Sequence, residues 1–380
     1  MSRTAFPSPD LARNARPYLY GGEEAAIASA LRTGQYNHGP ITDEFEQRIA
    51  AFLGVPDVVA VASGTAALHV GLLAAGVGPG HEVIVPSFTF CATVQAIIAT
   101  GARPRFVEVN PGTGCVEAAQ ILAALTPDTR AVMPVLYGGR AVDLTSARPA
   151  LDEQGVTVVE DAAQAFGSWQ GQHRVGTTGV VTCFSFGPIK NLTCGLGGAI
   201  VPRTPLEADT CRRLRGLGIV EPATRRAETT TYTVGGFGMR AQMSPLNAAV
   251  GLVQLDHFTE TETRRRALWR GYATALDGIV GVDLVDPDVD RTVPPMCAVR
   301  VLDGRRDRVF HELRNRGIGV GVHYSPNHTQ PAFAAWHRPL PVTERLGREI
   351  MTLPFHQHLT PTDAEHAANE LRRVLVGGGW

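Results

Sequence analysis

Short apolar runs alternate with helical stretches between residues 58 and 201, and no other sequence feature restricts the fold as much. The runs are almost continuously apolar, which suits strands that are covered by helices on both faces. Gly76 and Gly101 end two of the intervening stretches, where helix C-caps belong. We therefore predict a predominantly parallel sheet in an α/β layer architecture. The runs are VVAVAS, HEVIVP, RPRFVEV, RAVMPVL, VTVVED, VVTCFSF and GGAIVP.

The region after residue 243 has a different pattern. Ser244 and Pro245 form an N-cap and first-turn pair that opens one long helical stretch, SPLNAAVGLVQLDHFTETETRRRALWRGYATAL. MCAVRV, a helix ending in NRG, and IGVGVHY follow, and together they predict a smaller α+β domain. We expect a large domain over 1–250 and a small domain over 251–380. Residues 219–236 are expected to form a long irregular loop.

Composition excludes several classes of protein. The chain has 380 residues and a net charge of −1, which argues against a nucleic-acid binder because such proteins are usually basic. The N-terminal segment lacks the apolar core of a signal peptide, and no apolar run is long enough to span a membrane. The six cysteines show no CxxC spacing, so we expect small buried side chains in a cytoplasmic, reducing compartment.

Lys190 is the only lysine, because arginine supplies the rest of the 35 basic residues. It lies in FSFGPIKNLTCGLGGA, between an aromatic segment and a glycine-rich one. A lysine can lose its proton near neutral pH and act as an amine nucleophile, whereas an arginine stays charged. Lys190 is therefore a candidate for Schiff-base formation with a carbonyl such as the aldehyde of pyridoxal 5'-phosphate (PLP). The alternative is a lysine retained by chance at a solvated or ion-paired position.

Two further segments fit the same chemistry. SGT at 63–65 lies where a strand ends and a helix begins, a turn that can bind phosphate, although small residues are common at such turns. Asp161 in EDAAQAFG follows an apolar strand, at the edge where open α/β sheets bind ligands. An acid there can cap a helix, or it can keep the pyridine nitrogen of PLP protonated.

Two other segments resemble known binding motifs, but neither is assigned a dinucleotide or a metal site. GLGG at 195–198 runs directly into a strand, so it is not a dinucleotide fingerprint, and its glycines are expected to allow close backbone approach. HYSPNHTQ at 323–330 gathers two histidines and a tyrosine, but no carboxylate or cysteine completes a ligand set. We predict no metal site.

The motifs taken together resemble the sugar aminotransferases of the DegT family, a branch of the fold-type I PLP enzymes. The resemblance runs from GQYNHGP near the N-terminus to HLT near the C-terminus. It implies a large domain with a mostly parallel seven-stranded sheet flanked by helices, and a smaller C-terminal α+β domain. The motifs that carry it are SGTAAL, PSFTF, EDAAQA, FSFGPIKN, GGAI, PLNAAVGLVQL, GVHYSPNH and LPFHQHLT.

The resemblance also implies roles for individual residues. Lys190 would hold PLP as a Schiff base and move a proton between substrate and cofactor, and Asp161 would pair with the pyridinium nitrogen. Gln164 would bond the phenolic oxygen, and Phe88 would stack on the ring. The implied phosphate contacts are Gly64, Thr65 and Ser185, with Arg240 and Gln242 supplied by a partner subunit, and the implied substrate contacts are Tyr36, Asn37, His38, Tyr324 and His328.

Several positions depart from the family pattern. Leu196 replaces the acid of the family's GEGG segment, and Leu136 replaces the histidine of VHYAG. Arg240 stands where many relatives have Asn, and Gln242 stands where they have Arg. These changes leave the cofactor residues intact, and they concern the identity of the substrate.

The sequence therefore predicts a PLP-dependent aminotransferase that moves an amino group, with L-glutamate as donor, to a keto group of a nucleotide-linked sugar. A keto-cyclitol acceptor is the alternative. Dehydration or carbon–carbon bond chemistry is a second alternative, and Lys190 argues against dehydration because the family's dehydratases have histidine there. A regulator on the same fold is a third, although it would not need an intact electron sink. The resemblance implies a homodimer in which residues 237–243 cross to the partner's active site.

Overall fold

The computed structural model describes residues 8–221 and 228–376, and a seven-stranded sheet forms its larger part. The strand order is β1-β9-β8-β5-β4-β2-β3, with β9 antiparallel to both of its neighbours and the other pairs parallel. Each strand coincides with one of the apolar runs, which confirms the predicted sheet. The strands are β1 Val59–Val61, β2 Glu82–Pro86, β3 Arg103–Val107, β4 Thr129–Val132, β5 Thr157–Asp161, β8 Val181–Ser185 and β9 Gly198–Val201.

Helices cover both faces of this sheet. Successive residues of a strand point to opposite faces, so Val158 and Val159 of β5 enter two separate apolar cores. Gly76 and Gly101 follow helices and have φ values of 76° and 86°, which confirms them as helix ends. The helices are α1 Glu23–Arg32, α2 Pro40–Leu53, α3 Gly64–Ala74, α4 Cys91–Ala99, α5 Ala118–Ala124, α6 Arg148–Glu153 and α7 Pro205–Arg215, and a short hairpin joins β6 Trp169–Gln170 to β7 His173–Arg174.

The C-terminal part contains a three-stranded antiparallel sheet with helices packed against it, as expected for an α+β unit. Trp269 and Tyr272 are buried in its core. The third strand is Ile350–Leu353, whereas IGVGVHY forms only an isolated bridge between Gly321 and Thr352. The elements are α8 Pro245–Asp256, α9 Phe258–Leu276, β10 Val282–Leu284, β11 Cys297–Val301, α10 Arg306–Asn315, α11 Pro341–Glu349, β12 Ile350–Leu353 and α12 Pro361–Val376.

The long helical stretch that the sequence predicts after Ser244 is two helices. The hydroxyl of Ser244 accepts a hydrogen bond from the backbone of Leu246, which confirms the predicted N-cap. His257 then separates α8 from α9 with φ −101° and ψ 10°, outside the helical range. The charged second half buries Leu268 and Trp269 in the core beside the three-stranded sheet, so the apolar side chains of this stretch enter more than one core.

Three further expectations concern loops, cysteines and membranes. The predicted loop at 219–236 is partly outside the described residues, and its described ends are joined by a backbone bond from Val220 to Thr233. Five cysteines are buried as expected, but Cys91 at the start of α4 is exposed. Within the described ranges, no helix is both long and apolar enough to cross a bilayer.

Candidate active site

Asp161 ends strand β5 and is almost completely buried, with 4% of its surface exposed. Its Oδ2 atom accepts a hydrogen bond from the hydroxyl of Thr93 at 2.7 Å, and its Oδ1 atom accepts one from the backbone N–H of Ala163 at 3.1 Å. Burial raises the pKa of the carboxyl, whereas these two donors and the positive charge of Lys190 act to lower the pKa. The bonds fix the orientation of the carboxylate and leave it with further accepting capacity.

Lys190 lies in the turn that follows strand β8, which is the neighbour of β5 in the sheet. Burial of its amine lowers the pKa of Lys190, and the negative charge of Asp161 partly opposes this shift. Among the described residues, no carboxylate lies within salt-bridge distance of the amine. A lysine whose neutral form is favoured by burial is a better nucleophile than a solvated lysine.

Gln164 is held at both ends of its amide. Its Oε1 atom accepts a hydrogen bond from the backbone N–H of Gly138 at 2.8 Å, and its Nε2 atom donates to the hydroxyl of Tyr324 at 3.1 Å. Gln164, Lys190 and Tyr324 line one small cavity. The structure therefore brings together residues that lie up to 160 positions apart in the sequence.

The SGT turn forms the N-terminus of helix α3. Ser63 is the N-cap, and its hydroxyl accepts a hydrogen bond from the backbone of Ala66 at 3.1 Å. Ser185 packs closely against this turn. A Cβ atom added to Gly64 would lie only 2.6 Å from the Cβ atom of Ser185. The backbone N–H groups of Gly64 and Thr65 therefore lie in the first turn of α3, beside the Ser185 hydroxyl, where an anion is favoured.

These residues fit a pyridoxal-type group. An amine with a depressed pKa, a fixed carboxylate and a fixed amide lie near one another, and a helix N-terminus with an adjacent hydroxyl lies at the carboxyl edge of the same sheet. PLP needs these chemical partners for its aldehyde, ring nitrogen, phenolic oxygen and phosphate. Gly64 supports the same interpretation, since any side chain there would collide with Ser185.

The two aromatic residues of PSFTF have different environments, and the one expected to stack on the cofactor ring is the buried one. Phe88 has no exposed surface, and its ring packs against Tyr137 in the core with centroids 5.0 Å apart. Phe90 lies at the N-cap of α4 with 56% of its surface exposed, and its ring centroid is 5.7 Å from that of Tyr324. Both belong to PSFTF, and only the packing distinguishes the buried ring from the available one.

His323 adds a base that the sequence motif did not single out. The Nδ2 atom of Asn14 donates to three backbone carbonyls, so its Oδ1 atom is free to accept from the hydroxyl of Thr352 at 3.3 Å. The Thr352 oxygen then accepts from Nδ1 of His323 at 2.8 Å. Burial and the positive charge of Lys190 lower the pKa of His323. The neutral ring therefore keeps its proton on Nδ1 and has a free lone pair on Nε2.

The other candidate residues form a separate, open groove of about 490 Å³. It is lined by the 33–38 segment together with Arg240 and Gln242, so the structure brings together two segments that the sequence predicted independently. Arg240 is exposed, and no described residue forms a salt bridge with its guanidinium. The hydroxyl of Tyr36 donates to the backbone carbonyl of Leu31 at 3.2 Å.

Two histidines predicted to contact substrate are already bonded within the protein. His328 is buried, with Nδ1 2.6 Å from the Ser87 hydroxyl and Nε2 3.3 Å from a carboxylate oxygen of Glu344, so both of its ring nitrogens already have partners within the protein. His38 lies in the groove, and its Nε2 atom is 2.8 Å from Asp43 and 3.3 Å from Arg215. Burial and the Arg215 guanidinium lower the pKa of His38.

His38, Asp43 and Glu46 also lie close enough for their ligand atoms to surround an ion. Arg215 instead supplies the positive charge, because its guanidinium forms a buried salt bridge with Glu46 and contacts His38. A guanidinium and a metal ion cannot both occupy this space, so this cluster carries no metal assignment.

The two leucines that depart from the family pattern have opposite environments. Leu136 is fully buried beside Tyr137, whereas Leu196 is 55% exposed after the Lys190 turn. Gly198 in the following strand would place a Cβ atom 2.5 Å from the backbone oxygen of Ser63. This confirms that the glycines of GLGG permit close backbone approach.

Comparison with known proteins supports the sequence resemblance. A model of the DegT/DnrJ/EryC1/StrS aminotransferase family matches residues 19–372. The aminotransferase TlmJ from Streptoalloteichus hindustanus is 34% identical, with a TM-score of 0.89 over 96% of this chain and 99% of that chain. DesV of S. venezuelae, solved with a ketimine intermediate, is 34% identical with a TM-score of 0.85 over 94% and 98%.

A third solved structure extends the comparison to a protein described as a sugar aminotransferase. CalS13 from Micromonospora echinospora is 31% identical, with a TM-score of 0.88 over 97% of this chain and the whole of that chain. The similarity to all three covers both the large and the small sheet.

Proposed function

This chain belongs to the DegT/DnrJ/EryC1/StrS aminotransferase family, and we propose that it transfers an amino group from L-glutamate to a keto group of a nucleotide-linked sugar. The observation that carries the proposal is the set formed by Lys190, Asp161 and Gln164. Each has the fixed orientation or the shifted pKa that an amino-transfer site requires.

Bound PLP would supply an electron-withdrawing ring that stabilises negative charge on the substrate carbon. Lys190 would hold the cofactor through its amine and then carry a proton at Nζ, and burial assists this role because it lowers the pKa of Lys190 and favours the neutral amine. Asp161 would accept a hydrogen bond from the ring nitrogen and keep that nitrogen protonated. Thr93 would maintain the orientation of the Asp161 carboxylate during the reaction.

The remaining cofactor contacts follow from the same geometry. Gln164 would contact the phenolic oxygen, and Gly64, Thr65 and Ser185 would bind the phosphate. Phe90 would lie against the ring in place of Phe88, since Phe90 is the exposed aromatic residue beside Tyr324.

The nucleotide-sugar acceptor is supported by the open groove. A nucleotide-linked sugar carries a diphosphate, and binding energy from such a remote group can orient the reacting ketone. Arg240 offers an unpaired guanidinium within the described chain, and Tyr36 and Asn37 lie at the same groove. These side chains suit a charged, hydroxyl-rich ligand better than a small apolar one.

A homodimer completes the proposal. The segment before Arg240 exposes Phe237 fully and Tyr232 by 64%, and large exposed aromatic side chains are typical of interaction surfaces. Residues 237–243 would then supply Arg240 and Gln242 to the partner's phosphate site. Within each chain we propose a cofactor domain over 1–250 and a smaller domain over 251–380, with the break at His257 close to the boundary.

The proposed function is tested by following the cofactor absorbance through two successive reactions, one with the amino donor and one with the keto acceptor. Purified protein is converted to its amino form with glutamate, and a panel of nucleotide-linked keto sugars and keto-cyclitols is then added. We expect a nucleotide-linked keto sugar to restore the original cofactor absorbance. Failure of glutamate and other amino acids to change the absorbance would contradict the aminotransferase proposal.

The acceptor class is tested by comparing kcat/KM for one keto sugar with and without its nucleotide. We expect the free sugar to be far less efficient, because it lacks the group that the groove would bind. Equal values would contradict the nucleotide-sugar acceptor and favour the keto-cyclitol alternative.

A further inference from the structure

A second cavity, of about 830 Å³, lies under the β6–β7 hairpin and has no part in the chemistry above. Glu160 lines it, and Asp161 is the next residue of strand β5, so the two carboxyl groups point to opposite faces of the sheet. Much of its wall is apolar and includes Val142, Leu144 and one side of Trp169. Its volume lies in the range of small-molecule sites.

Glu160 is buried without a compensating charge. Only 5% of its surface is exposed, and its Oε2 atom accepts a hydrogen bond from the hydroxyl of Thr182 at 2.8 Å. Among the described residues, its Oε1 atom has no hydrogen-bond partner, and no basic side chain lies within salt-bridge distance. The hydroxyl of Thr178, which also lines the cavity, is buried without a partner. Buried polar groups normally have partners, so the Thr178 hydroxyl points to a missing ligand, and Oε1 of Glu160, which is not fully enclosed, is free to accept a hydrogen bond from that ligand.

The charged residues around the cavity do not neutralise Glu160. Arg140 pairs with Asp286 at 3.1 Å, and Arg148 pairs with Asp152 at 2.9 Å. Arg291 donates to a backbone carbonyl at 2.7 Å, on the hairpin. The titratable and charged side chains that line the cavity besides Glu160 are Arg140, Asp143, Arg148, His173, Asp288 and Arg291.

We propose that this cavity binds a small organic ammonium compound with an apolar body, whose N–H group donates to Oε1 of Glu160. A cation suits this position because no described basic side chain pairs with Glu160, and pairing stabilises a buried carboxylate in its ionised form. The apolar walls and the Trp169 ring suit an alkyl or aromatic body, and a cation near an aromatic ring gains a further attraction. The site is independent of the proposed aminotransferase function.

The ammonium ligand and a proton compete for the same carboxylate group of Glu160. Burial raises the pKa of Glu160 to about 7, so the carboxyl of the free protein is largely protonated at pH 6 and largely ionised at pH 8. An ammonium ligand binds the ionised form. Its affinity should therefore fall about tenfold from pH 8 to pH 6, with a proton released on binding at the lower pH.

The test uses the full-length protein loaded with PLP and the N,N-dimethylbenzylammonium ion as probe. This tertiary amine cannot form a Schiff base, so it does not report on the Lys190 site. Calorimetric titration should show one saturable site per chain at pH 8, binding about tenfold weaker at pH 6, and no binding of the neutral benzyl methyl ether. No saturation at pH 8 up to about 10 mM probe would overturn the proposal.

Three variants locate the probe. Glu160→Gln keeps an acceptor for Thr182 and removes the charge, so we expect it to lose binding. Leu144→Trp fills the cavity from its wall and should also lose binding, which keeps the test valid if Glu160→Gln does not fold. Arg291→Gln, the matched control at the mouth, should bind as wild type does. Binding by either of the first two variants within about twofold of wild type would contradict the site.

Discussion

The Lys190 pocket and the open groove of Arg240 differ in how completely one chain builds them. In the pocket, Asp161 has two donors and Gln164 has a partner at each end of its amide. In the groove, Arg240 is exposed and forms no salt bridge with any described residue. A fixed geometry suits a cofactor that stays in place, whereas an incomplete one suits a ligand or a partner that arrives later.

The two regions also differ in their expected roles, since the pocket holds the residues for cofactor chemistry and the groove holds residues that bear on substrate specificity. The pocket residues match the family pattern, and Leu136, one of the departures, is fully buried. Arg240 and Gln242 are the departures that line the open groove. The comparison therefore predicts large effects on catalysis from changes in the pocket, and moderate effects on the binding of substrate or of the partner's cofactor phosphate from changes in the groove.

Lys190→Arg should have the largest effect, a loss of activity of about 10⁴-fold or more, because the charge remains and only the nucleophile disappears. Borohydride reduction followed by peptide mass analysis checks the chemistry directly. Since Lys190 is the only lysine, any pyridoxyl-lysine peptide must contain it. An unmodified Lys190 in PLP-saturated wild-type protein would show that the pocket does not bind the cofactor covalently.

Asp161→Ala should allow PLP to bind and slow amino transfer by about 10²- to 10³-fold, since the ring nitrogen would lose its carboxylate partner. Single-turnover absorbance measurements with glutamate give the rate. A matched control is Asp143→Ala, an exposed acid that bonds its own loop residue Thr145, and we expect no comparable loss there. Near-normal turnover of Asp161→Ala would assign that residue a structural role.

Arg240→Ala should lower activity by about 10- to 100-fold and weaken phosphate binding, because one charge-assisted contact to the partner's cofactor is lost. Mixing Arg240→Ala with Lys190→Ala and allowing subunit exchange should restore part of the activity. A fully active monomer, or no recovery in a proven mixed dimer, would place Arg240 outside a shared site. This experiment decides whether the groove is completed by a second chain.

Thr93→Val should have the smallest effect, about tenfold or less, and it should depend on pH. The Thr93 hydroxyl lowers the pKa of Asp161, so its removal raises that pKa and makes the carboxylate harder to ionise. Activity should therefore fall more at acid pH than at alkaline pH, and the acid limb of the kcat/KM profile should move to higher pH. An unshifted limb would mean that Thr93 does not tune Asp161.

Particular residues show how far sequence reasoning reached. The apolar runs predicted every strand of the large sheet, because strands buried on both faces need nearly continuous apolar side chains. Lys190 was identifiable because it is the only lysine in the chain, and Asp161 was identifiable because it stands at the carboxyl end of a predicted strand. The division at His257 was missed, since the helical pattern continues across it and only the tertiary packing separates α8 from α9.

The side chains around the site were harder to assign. Phe88 and Phe90 stand two positions apart in one motif, and the sequence favoured the residue that the core buries. His328 shares its motif with Tyr324, but it packs against Ser87 and Glu344, while Tyr324 reaches Gln164. Neither distinction is local, because each depends on a residue far away in the sequence.

The sequence by itself determined the sheet and the family and made Lys190 the candidate nucleophile, because hydrophobic periodicity and a unique reactive side chain are properties of the linear chain. Tertiary structure alone decided which aromatic ring is available, that Nδ1 of His323 is bonded to Thr352, and that Glu160 faces a cavity with no counterion among the described residues. The physical reason is that burial and hydrogen-bond partners arise from contacts between distant segments, and these contacts set both the orientation and the pKa of each group.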